Sequence, residues 1–157
     1  MPDYLEIVPV LATGLFAGAA LGITIGDQPA RECIEPQAAR EHFKEWYPRI
    51  AKPQASFAAI AAASSAWLAY KGGPTRSLNV TTAVLMGAML PWTLVVIMPT
   101  NDALRFKKEL SDSEIKTGLK RWSKLHLVRT VASIAAFGLA AFSLAASDKA
   151  EPQIVAY

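Results

Sequence analysis

The sequence contains long stretches without a single charged residue. Only 18% of its 157 residues are Asp, Glu, Lys or Arg, whereas soluble domains carry about a quarter, and 52% are hydrophobic. Four uncharged runs each contain at least 18 residues: 7–26, 53–70, 77–101 and 130–147. A helix of 18 residues is about 27 Å long, which is close to the thickness of the hydrocarbon core of a bilayer. Because backbone groups in lipid must be satisfied within the segment, these runs predict an all-α protein with four transmembrane helices.

Cysteine and histidine are nearly missing as well. The single Cys33 excludes an internal disulfide and a metal site built from several cysteines. The only histidines are His42 and His126, and the sequence has no Gly-rich phosphate loop, nucleophile elbow or haem-ligand pair. We therefore expect no metal and no bound cofactor. The net charge of +3 is small, and basic residues beside membrane spans explain it without nucleic acid as a partner.

The spacing of the runs predicts a single membrane domain over residues 1–157 that folds as a four-helix bundle. The transmembrane helices are predicted at about residues 5–26, 53–71, 78–98 and 125–147. Loops 1 and 3 are expected to hold short interfacial helices, from Pro36 to about Tyr47 and from Asn101 through Leu110. Residues 111–114 (Ser-Asp-Ser-Glu) fit a capping box that starts the fourth helix near Asp112.

Basic residues cluster in two segments of the chain. Twelve of the sixteen Lys and Arg residues lie in segments 27–52 and 99–124, which contain the two longer loops. By the positive-inside rule, these loops face the cytoplasm or its equivalent, and both termini face away. Lys71, Arg76 and Lys149 lie on the side of the termini. Two aromatic belts are predicted: Trp46, Tyr47 and Trp122 at the basic-loop interface, and Tyr4, Trp67 and Tyr70 at the other.

The first helix carries glycines at a strict four-residue interval: Gly14, Gly18, Gly22 and Gly26. The second helix carries alanines at the same interval: Ala51, Ala55, Ala59 and Ala63. Small residues at this spacing let two helix backbones approach closely, so we expect a tight helix pair within the chain. Two alternatives remain open, which are a contact with a membrane-protein partner through Gly14, Gly18 and Gly22, and room for a flat ligand.

Polar side chains gather at the basic-loop end of the predicted bundle. At 100° per residue, His126 and Arg129 share one face of the fourth helix with a stripe of apolar residues. That stripe contains Ile115, Leu119 and Trp122, and it continues to Ser133 and Phe137. Asp27, Gln54 and Asn101 lie at the same end of the other three helices. Polar groups turned toward a bundle interior at membrane depth indicate a functional site.

Each of these residues also has a structural interpretation. Arg129 could extend to the hydrocarbon boundary, and Asn101 could cap a helix. His126 could serve only as a hydrogen-bonding residue, and Gln54 could pair a helix end.

Three groups of motifs occur in a characteristic order along the chain. They are Gly14-Leu15-Phe16-Ala17-Gly18 in helix one; Pro91-Trp92-Thr93, Pro99-Thr100-Asn101-Asp102 and Leu104 around helix three; and Trp122-x3-His126-x2-Arg129 entering helix four. In these motifs the sequence resembles the anthrone oxygenase-like family of small four-helix membrane proteins. The resemblance implies an oxygenase that inserts oxygen at the activated central carbon of an anthrone, without metal or flavin.

Carried onto this sequence, the resemblance implies roles for individual residues. His126 would take the acidic proton, and Asn101 and Arg129 would stabilise the resulting oxyanion. The candidate substrate-binding residues are Gln54, Trp92, Thr93 and Trp122. Two other functions stay open at this stage. They are a non-catalytic subunit or scaffold of a larger membrane assembly, and a carrier of a small hydrophobic molecule.

Overall fold

A computed structural model describes the backbone of residues 4–150 and the side chains of residues 4–147. Within that range the chain is helical apart from short connections, and it contains no β-strand. In chain order the elements are a 3₁₀ turn at Tyr4–Glu6, α1 (Ile7–Gly22), a π-helical segment π1 (Ile23–Asp27), α2 (Gln28–Glu32), α3 (Pro36–Lys71), α4 (Arg76–Pro91), a second π-helical segment π2 (Trp92–Ile97), α5 (Met98–Phe106) and α6 (Asp112–Ala150). The predicted all-α class is confirmed.

These elements join into four long rods. The turn, α1, π1 and α2 follow one another directly, as do α4, π2 and α5, whereas α3 and α6 are rods by themselves. Helix α1 packs against α3 and α6, and α4 packs against the same two helices. The rods therefore form a four-helix bundle in which consecutive rods are neighbours.

Three of the rods are long and apolar enough to cross a membrane: Tyr4–Glu32, Arg76–Phe106 and Asp112–Ser147. Helix α3 is not among them, because the predicted span at 53–71 is rich in alanine and also contains Gln54, Ser64 and Ser65. The fourth crossing and the orientation of the chain stay predictions. Lys149, one of the three basic residues counted on the side of the termini, lies outside the described side chains.

The interfacial helix predicted in loop 1 is not a separate element, and that part of the prediction is wrong, whereas the loop 3 segment does contain the short helix α5. Helix α3 begins at Pro36 as predicted, but it continues through Pro48 and Pro53 to Lys71. Buried side chains precede and follow these prolines, so packing into one bundle outweighs the hydrogen bonds that the prolines remove. In loop 3, α5 begins at Met98 and ends at Phe106, which places Asn101 inside the helix instead of at its cap.

The start of α6 agrees with the prediction. The Ser111 backbone N–H donates to Glu114 Oε2 at 2.8 Å, and the Glu114 backbone N–H donates to Ser111 Oγ at 3.3 Å. These two reciprocal bonds are the predicted capping box. The helix begins at Asp112.

The predicted small-residue ridge does not form a tight helix pair along its length. A side chain at Gly14 would meet the Phe137 ring at 3.1 Å, so only this glycine permits a close approach. Nothing lies within 4 Å of the corresponding position at Gly18, Gly22 or Gly26. Between residues 51 and 65 of α3 the buried positions are Gln54, Ala58, Ala61 and Ser65, and the alanines at 55, 59 and 63 are exposed.

The predicted aromatic belt at the basic-loop end is also wrong. Tyr47 is 6% exposed and Trp122 is 1% exposed, so both rings lie inside the bundle. They belong to a first core cluster that contains Ile23, Ala39, Phe43, Tyr47, Ile97, Leu104, Ile115, Leu119 and Trp122. A second cluster lies further from the loops and contains Ala12, Phe16, Ala20, Ala58, Ala61, Met86, Met89 and Ala136. Tyr4, Trp67 and Tyr70, assigned to the opposite belt, are exposed.

One face of α6 connects the two clusters. The predicted stripe from Ile115 to Ser133 is buried, including His126 and Arg129. It ends earlier than predicted, because Phe137 is 40% exposed and Ala136 and Ala140 take the buried positions. Polar side chains are thus placed between two apolar clusters.

Candidate functional site

A cavity of about 170 Å³ lies where the two core clusters meet. Tyr47 from the first cluster lines it together with Phe16 and Met89 from the second. The remaining lining residues are Ala51, Ala55, Ala58, Leu90, Thr93, Leu94, Met98 and Arg129. The walls are therefore apolar except for a phenol, a hydroxyl and a guanidinium group. Such a lining suits a hydrophobic ligand with a few oriented polar atoms.

The cavity reaches the outer surface of the bundle. Three of its lining residues, Ala55, Leu90 and Leu94, are exposed, and they place the opening between α3 and the rod formed by α4 and π2. That rod is one of the three that are long and apolar enough to cross a membrane. Pockets that enclose drug-sized ligands measure about 300–1,000 Å³, so a larger ligand would extend into this opening.

Arg129 is buried at the wall of the cavity. Its Nη2 donates to Gln54 Oε1 at 2.8 Å, and its guanidinium carbon lies 5.1 Å from the centroid of the Phe16 ring. Its Nε has no hydrogen-bond partner, and no carboxylate pairs with it among the described residues. The interpretation that Arg129 extends to the membrane boundary is wrong, since the residue is only 6% exposed. A buried cation without a counter-charge is costly, and an anionic ligand would relieve that cost.

Gln54 fixes the position of this guanidinium from α3. Its side chain is buried, and its Oε1 is the acceptor for Arg129. The Gln54 Nε2 donor has no partner within residues 4–147. The pair therefore keeps one amide donor and one guanidinium donor unsatisfied in the same buried region.

Tyr47 is held by a chain of hydrogen bonds from α6 through α5. Trp122 Nε1 donates to Asn101 Oδ1 at 2.7 Å, and Asn101 Nδ2 donates to the Tyr47 hydroxyl oxygen at 2.6 Å. Asn101 is fully buried, and its Nδ2 also lies 3.8 Å from Met98 Sδ. Burial raises the pKa of the Tyr47 phenol, which keeps it protonated at neutral pH.

His126 lies beside this chain and not on the cavity. Its ring stacks on Trp122 at 4.8 Å with an interplanar angle of 7°, and it is not among the residues that line the cavity. Its Nε2 lies 3.3 Å from the Ala20 carbonyl oxygen, and because a carbonyl only accepts, Nε2 must carry the hydrogen. In the neutral ring Nδ1 then holds a lone pair, and this atom is buried with no partner among the described residues.

The Ala20 carbonyl that holds His126 lies three residues before the start of π1. It also accepts hydrogen bonds from Thr24 Oγ1 at 3.0 Å and from Thr130 Oγ1 at 3.3 Å. The end of α1 and the middle of α6 are thereby tied together beside the cavity. Widened π turns inside helices often occur at functional sites, and π2 contributes Thr93 and Leu94 to the cavity itself.

Comparison with known proteins identifies a family and a relative of this chain. A protein family described as Anthrone oxygenase matches residues 43–139, which is more than half of the chain. The chain belongs to the anthrone oxygenase family. It is also 27% identical over 149 residues to "Anthrone oxygenase tpcL" of Aspergillus fumigatus, covering 83% of this chain and 90% of that protein. No solved structure matches the chain.

The polar network of this anthrone oxygenase family member lies within the matched segment. Tyr47, Gln54, Asn101, Trp122, His126 and Arg129 all fall between residues 43 and 139. Phe16, which lies against the guanidinium group, falls outside it. The family match and the buried polar groups thus coincide on α3, α5 and α6.

The structure brings together some of the predicted substrate-binding residues and separates others. Thr93 lines the cavity, and its hydroxyl donates to the Met89 carbonyl at 2.7 Å. Trp92 does not line the cavity, and its Nε1 donates to the Leu125 carbonyl at 3.3 Å. Trp122 is an interior donor to Asn101, so it positions other side chains.

Asp27 joins a second buried cluster, which surrounds Arg31 near the loops. Arg31 is 3% exposed and forms a salt bridge with Asp27. It also donates to Gln28 Oε1 at 2.8 Å and to His42 Nδ1 at 3.3 Å. Three aromatic rings lie within 6.0 Å of its guanidinium carbon, those of Phe43, Trp46 and Trp122. Arg31 is therefore paired on all sides.

Sequence reasoning missed Tyr47 as a residue of the site. A usable signal was present, because Tyr47 and Gln54 are seven residues apart and therefore lie on nearly the same face of one helix. The prediction that a separate interfacial helix ended near Tyr47 hid this relation. No group of three or more His, Cys, Asp or Glu side chains is placed to hold a metal ion within the described part of the chain.

Proposed function

We propose that this protein is a cofactor-independent oxygenase that binds an anthrone-like substrate in the cavity beside Arg129. The observation that supports the proposal most directly is the buried guanidinium group without a carboxylate partner at an apolar wall. Family membership supports the same reaction class, since the curated relative is named an anthrone oxygenase.

The chemistry of an anthrone matches this wall. Loss of a proton from its central CH₂ group places negative charge on the carbonyl oxygen across the ring. A guanidinium group in a cavity of low dielectric constant stabilises such an oxyanion far more than it would in water. The flat rings of the substrate would contact Phe16, Met89 and the alanines of α3.

The reaction balances with O₂ as the only co-substrate. After the first C–H proton leaves, the electron-rich carbon transfers electrons to O₂ and a C–O bond forms, giving a hydroperoxide. The second C–H proton then leaves as the O–O bond breaks. The CH₂ group has become C=O, and one molecule of water is released.

His126 is the proposed base for the first proton transfer. Its Nδ1 has no partner within the described residues, and its ring is fixed by Trp122 and by the Ala20 carbonyl. Because His126 does not line the cavity, the proton would pass through a water molecule between the substrate and Nδ1.

The first test is turnover by the purified protein in mild detergent with 1,8-dihydroxyanthrone, corrected for reaction in buffer alone. We expect one O₂ consumed per anthraquinone formed, and a rate at least 100-fold lower for Arg129→Gln. Arg76→Gln, at an exposed arginine outside the cavity, is the matched control and should retain the wild-type rate. A wild-type rate equal to that of buffer would refute the oxygenase. Binding without turnover would favour the carrier instead.

A further inference from the structure

The hydrogen-bond chain behind the cavity has a fixed direction. An indole N–H can only donate, so the Asn101 atom that faces Trp122 must be the amide oxygen. The Asn101 NH₂ group must then face Tyr47, and the Tyr47 oxygen must accept from it. This assignment follows from the chemistry of the three side chains and leaves no freedom to turn the amide around.

The consequence is that the described residues do not use the Tyr47 hydroxyl hydrogen in a hydrogen bond. No acceptor for it is present within residues 4–147, and Tyr47 lines the cavity on the same side of the bundle as Arg129. The ring is held in place by Phe43, whose ring centroid is 5.5 Å away at an interplanar angle of 19°. The Arg105 guanidinium carbon lies 5.5 Å from its centroid.

We propose that Tyr47 is a second hydrogen-bond donor to the ligand oxygen, aimed into the cavity by the Trp122–Asn101 pair. Tyr47 would act with Arg129 on the oxyanion of the proposed function, on which this inference rests. Asn101 then acts through Tyr47, because both ends of its amide are occupied, and it is a positioning residue. Hydrogen bonds in such a chain polarise one another, which makes the terminal phenol a better donor.

A substitution can reverse the hydrogen bond between residue 101 and Tyr47 while keeping the side chains in the same places. In Asn101→Asp, a carboxylate accepts from Trp122 and also from the Tyr47 hydroxyl, so the phenol proton turns away from the cavity. The phenol and its packing stay in place, but its hydroxyl group no longer donates a hydrogen bond to the ligand. If Tyr47 served only as a core residue, Asn101→Asp would change neither ligand binding nor turnover.

The experiment compares Tyr47→Phe, Asn101→Asp and their combination with Tyr70→Phe. Tyr70 is an exposed tyrosine on the same helix and is the matched control. The readouts are kcat/KM with 1,8-dihydroxyanthrone, the Kd of the unreactive 1,8-dihydroxyanthraquinone, and the melting temperature. We expect each single variant to lose at least tenfold in kcat/KM, since one oxyanion donor contributes about 100- to 1,000-fold. The double variant should lose no more than the larger single loss.

The outcomes separate this inference from the proposed function. Wild-type turnover with Tyr47→Phe unchanged in both kcat/KM and Kd would overturn the donor and leave the oxygenase standing. Quinone binding that weakens in Tyr47→Phe and in Asn101→Asp, but not in Tyr70→Phe, would keep the donor even if the wild type shows no turnover. If the free-energy losses of the two single variants add in the double variant, the proposal that Asn101 acts through Tyr47 is overturned.

Discussion

Arg31 and Arg129 are both buried arginines that lie against aromatic rings, and they differ in what pairs with their charge. Arg31 has a carboxylate, an amide oxygen and an imidazole nitrogen as partners, and three rings surround it. Arg129 has one amide oxygen and one ring, and a cavity lies beside it. The hydrogen-bond donors around Arg31 are satisfied without a ligand, whereas Arg129 Nε and Gln54 Nε2 have no partner among the described residues.

At the far end of the bundle, the Asn79 amide is paired at both ends, as the Arg31 side chain is. Asn79 Oδ1 accepts from Ser143 Oγ at 3.1 Å, and Asn79 Nδ2 donates to Thr75 Oγ1 at 3.3 Å. In contrast, Gln54 Nε2, His126 Nδ1 and Arg129 Nε are buried without partners among the described residues. Three of the five such atoms in residues 4–147 therefore belong to Arg129, its partner Gln54 and His126, and the other two are Ser65 Oγ and Arg105 Nε. A ligand in the cavity could satisfy donors of the Arg129–Gln54 pair.

The largest expected effect is on stability, in Arg31→Ala. Removing this guanidinium group leaves Gln28 and three rings around an empty space and unpairs Asp27, so the free energy of unfolding should fall by about 3–5 kcal/mol. Arg129→Gln should leave the free energy of unfolding unchanged or raise it, because the substitution removes a buried charge and leaves no carboxylate unpaired. Unfolding in mixed micelles measures both variants. Equal destabilisation by the two would show that Arg129 is also a structural residue, and would break the comparison.

The second prediction tests whether His126 belongs with the Arg31 cluster or with the cavity beside Arg129. Its ring stacks on Trp122, and the Trp122 ring also lies near Arg31. His126→Gln keeps an amide donor for the Ala20 carbonyl but removes the basic nitrogen. We expect turnover of 1,8-dihydroxyanthrone to fall at least 100-fold, as for loss of a general base, with a melting temperature close to that of the wild type. His126→Ala, which removes both functions, should lose stability as well. Full activity in His126→Gln would exclude His126 as the base.

The smallest effect concerns the opening of the cavity between α3 and α4. Ala55→Phe would fill that opening with a ring, and we expect kcat/KM for 1,8-dihydroxyanthrone to fall roughly tenfold through misplacement of the substrate. Ala59→Phe, at an exposed alanine one turn further along and away from the cavity, is the matched control. If both variants behave like the wild type, the ligand does not use this opening.

Features governed by local chemistry could be predicted from the sequence. The capping box at Ser111 and Glu114 and the start of α6 depend on neighbouring residues, and both were predicted correctly. The buried face that holds His126 and Arg129 follows from helical periodicity, and it also agrees with the structure as far as Ser133. The convergence of Gln54 with Arg129 follows from their positions at the same end of the second and fourth helices of the bundle, which run parallel to each other.

Features decided by packing could not be predicted in the same way. Whether α3 continues through Pro48 and Pro53 depends on the partners of Tyr47 and Gln54, which the local sequence does not contain. Glycines at a four-residue interval define a face of α1, but only the bundle determines whether that face meets another helix. The burial of Trp122 likewise depends on α5, whose Asn101 accepts its N–H.

The two π-helical segments have a further consequence for how this bundle can vary. A π turn contains one residue more than an α turn, which is a phase change of roughly 100° for everything that follows. Deleting one residue from π2 would therefore rotate α5 about its axis and take Asn101 away from Trp122 and Tyr47. The cavity walls on α3 and α6 would keep their places. A single insertion or deletion, without any substitution, could thus disconnect the phenol from its support while leaving the cavity walls on α3 and α6 intact.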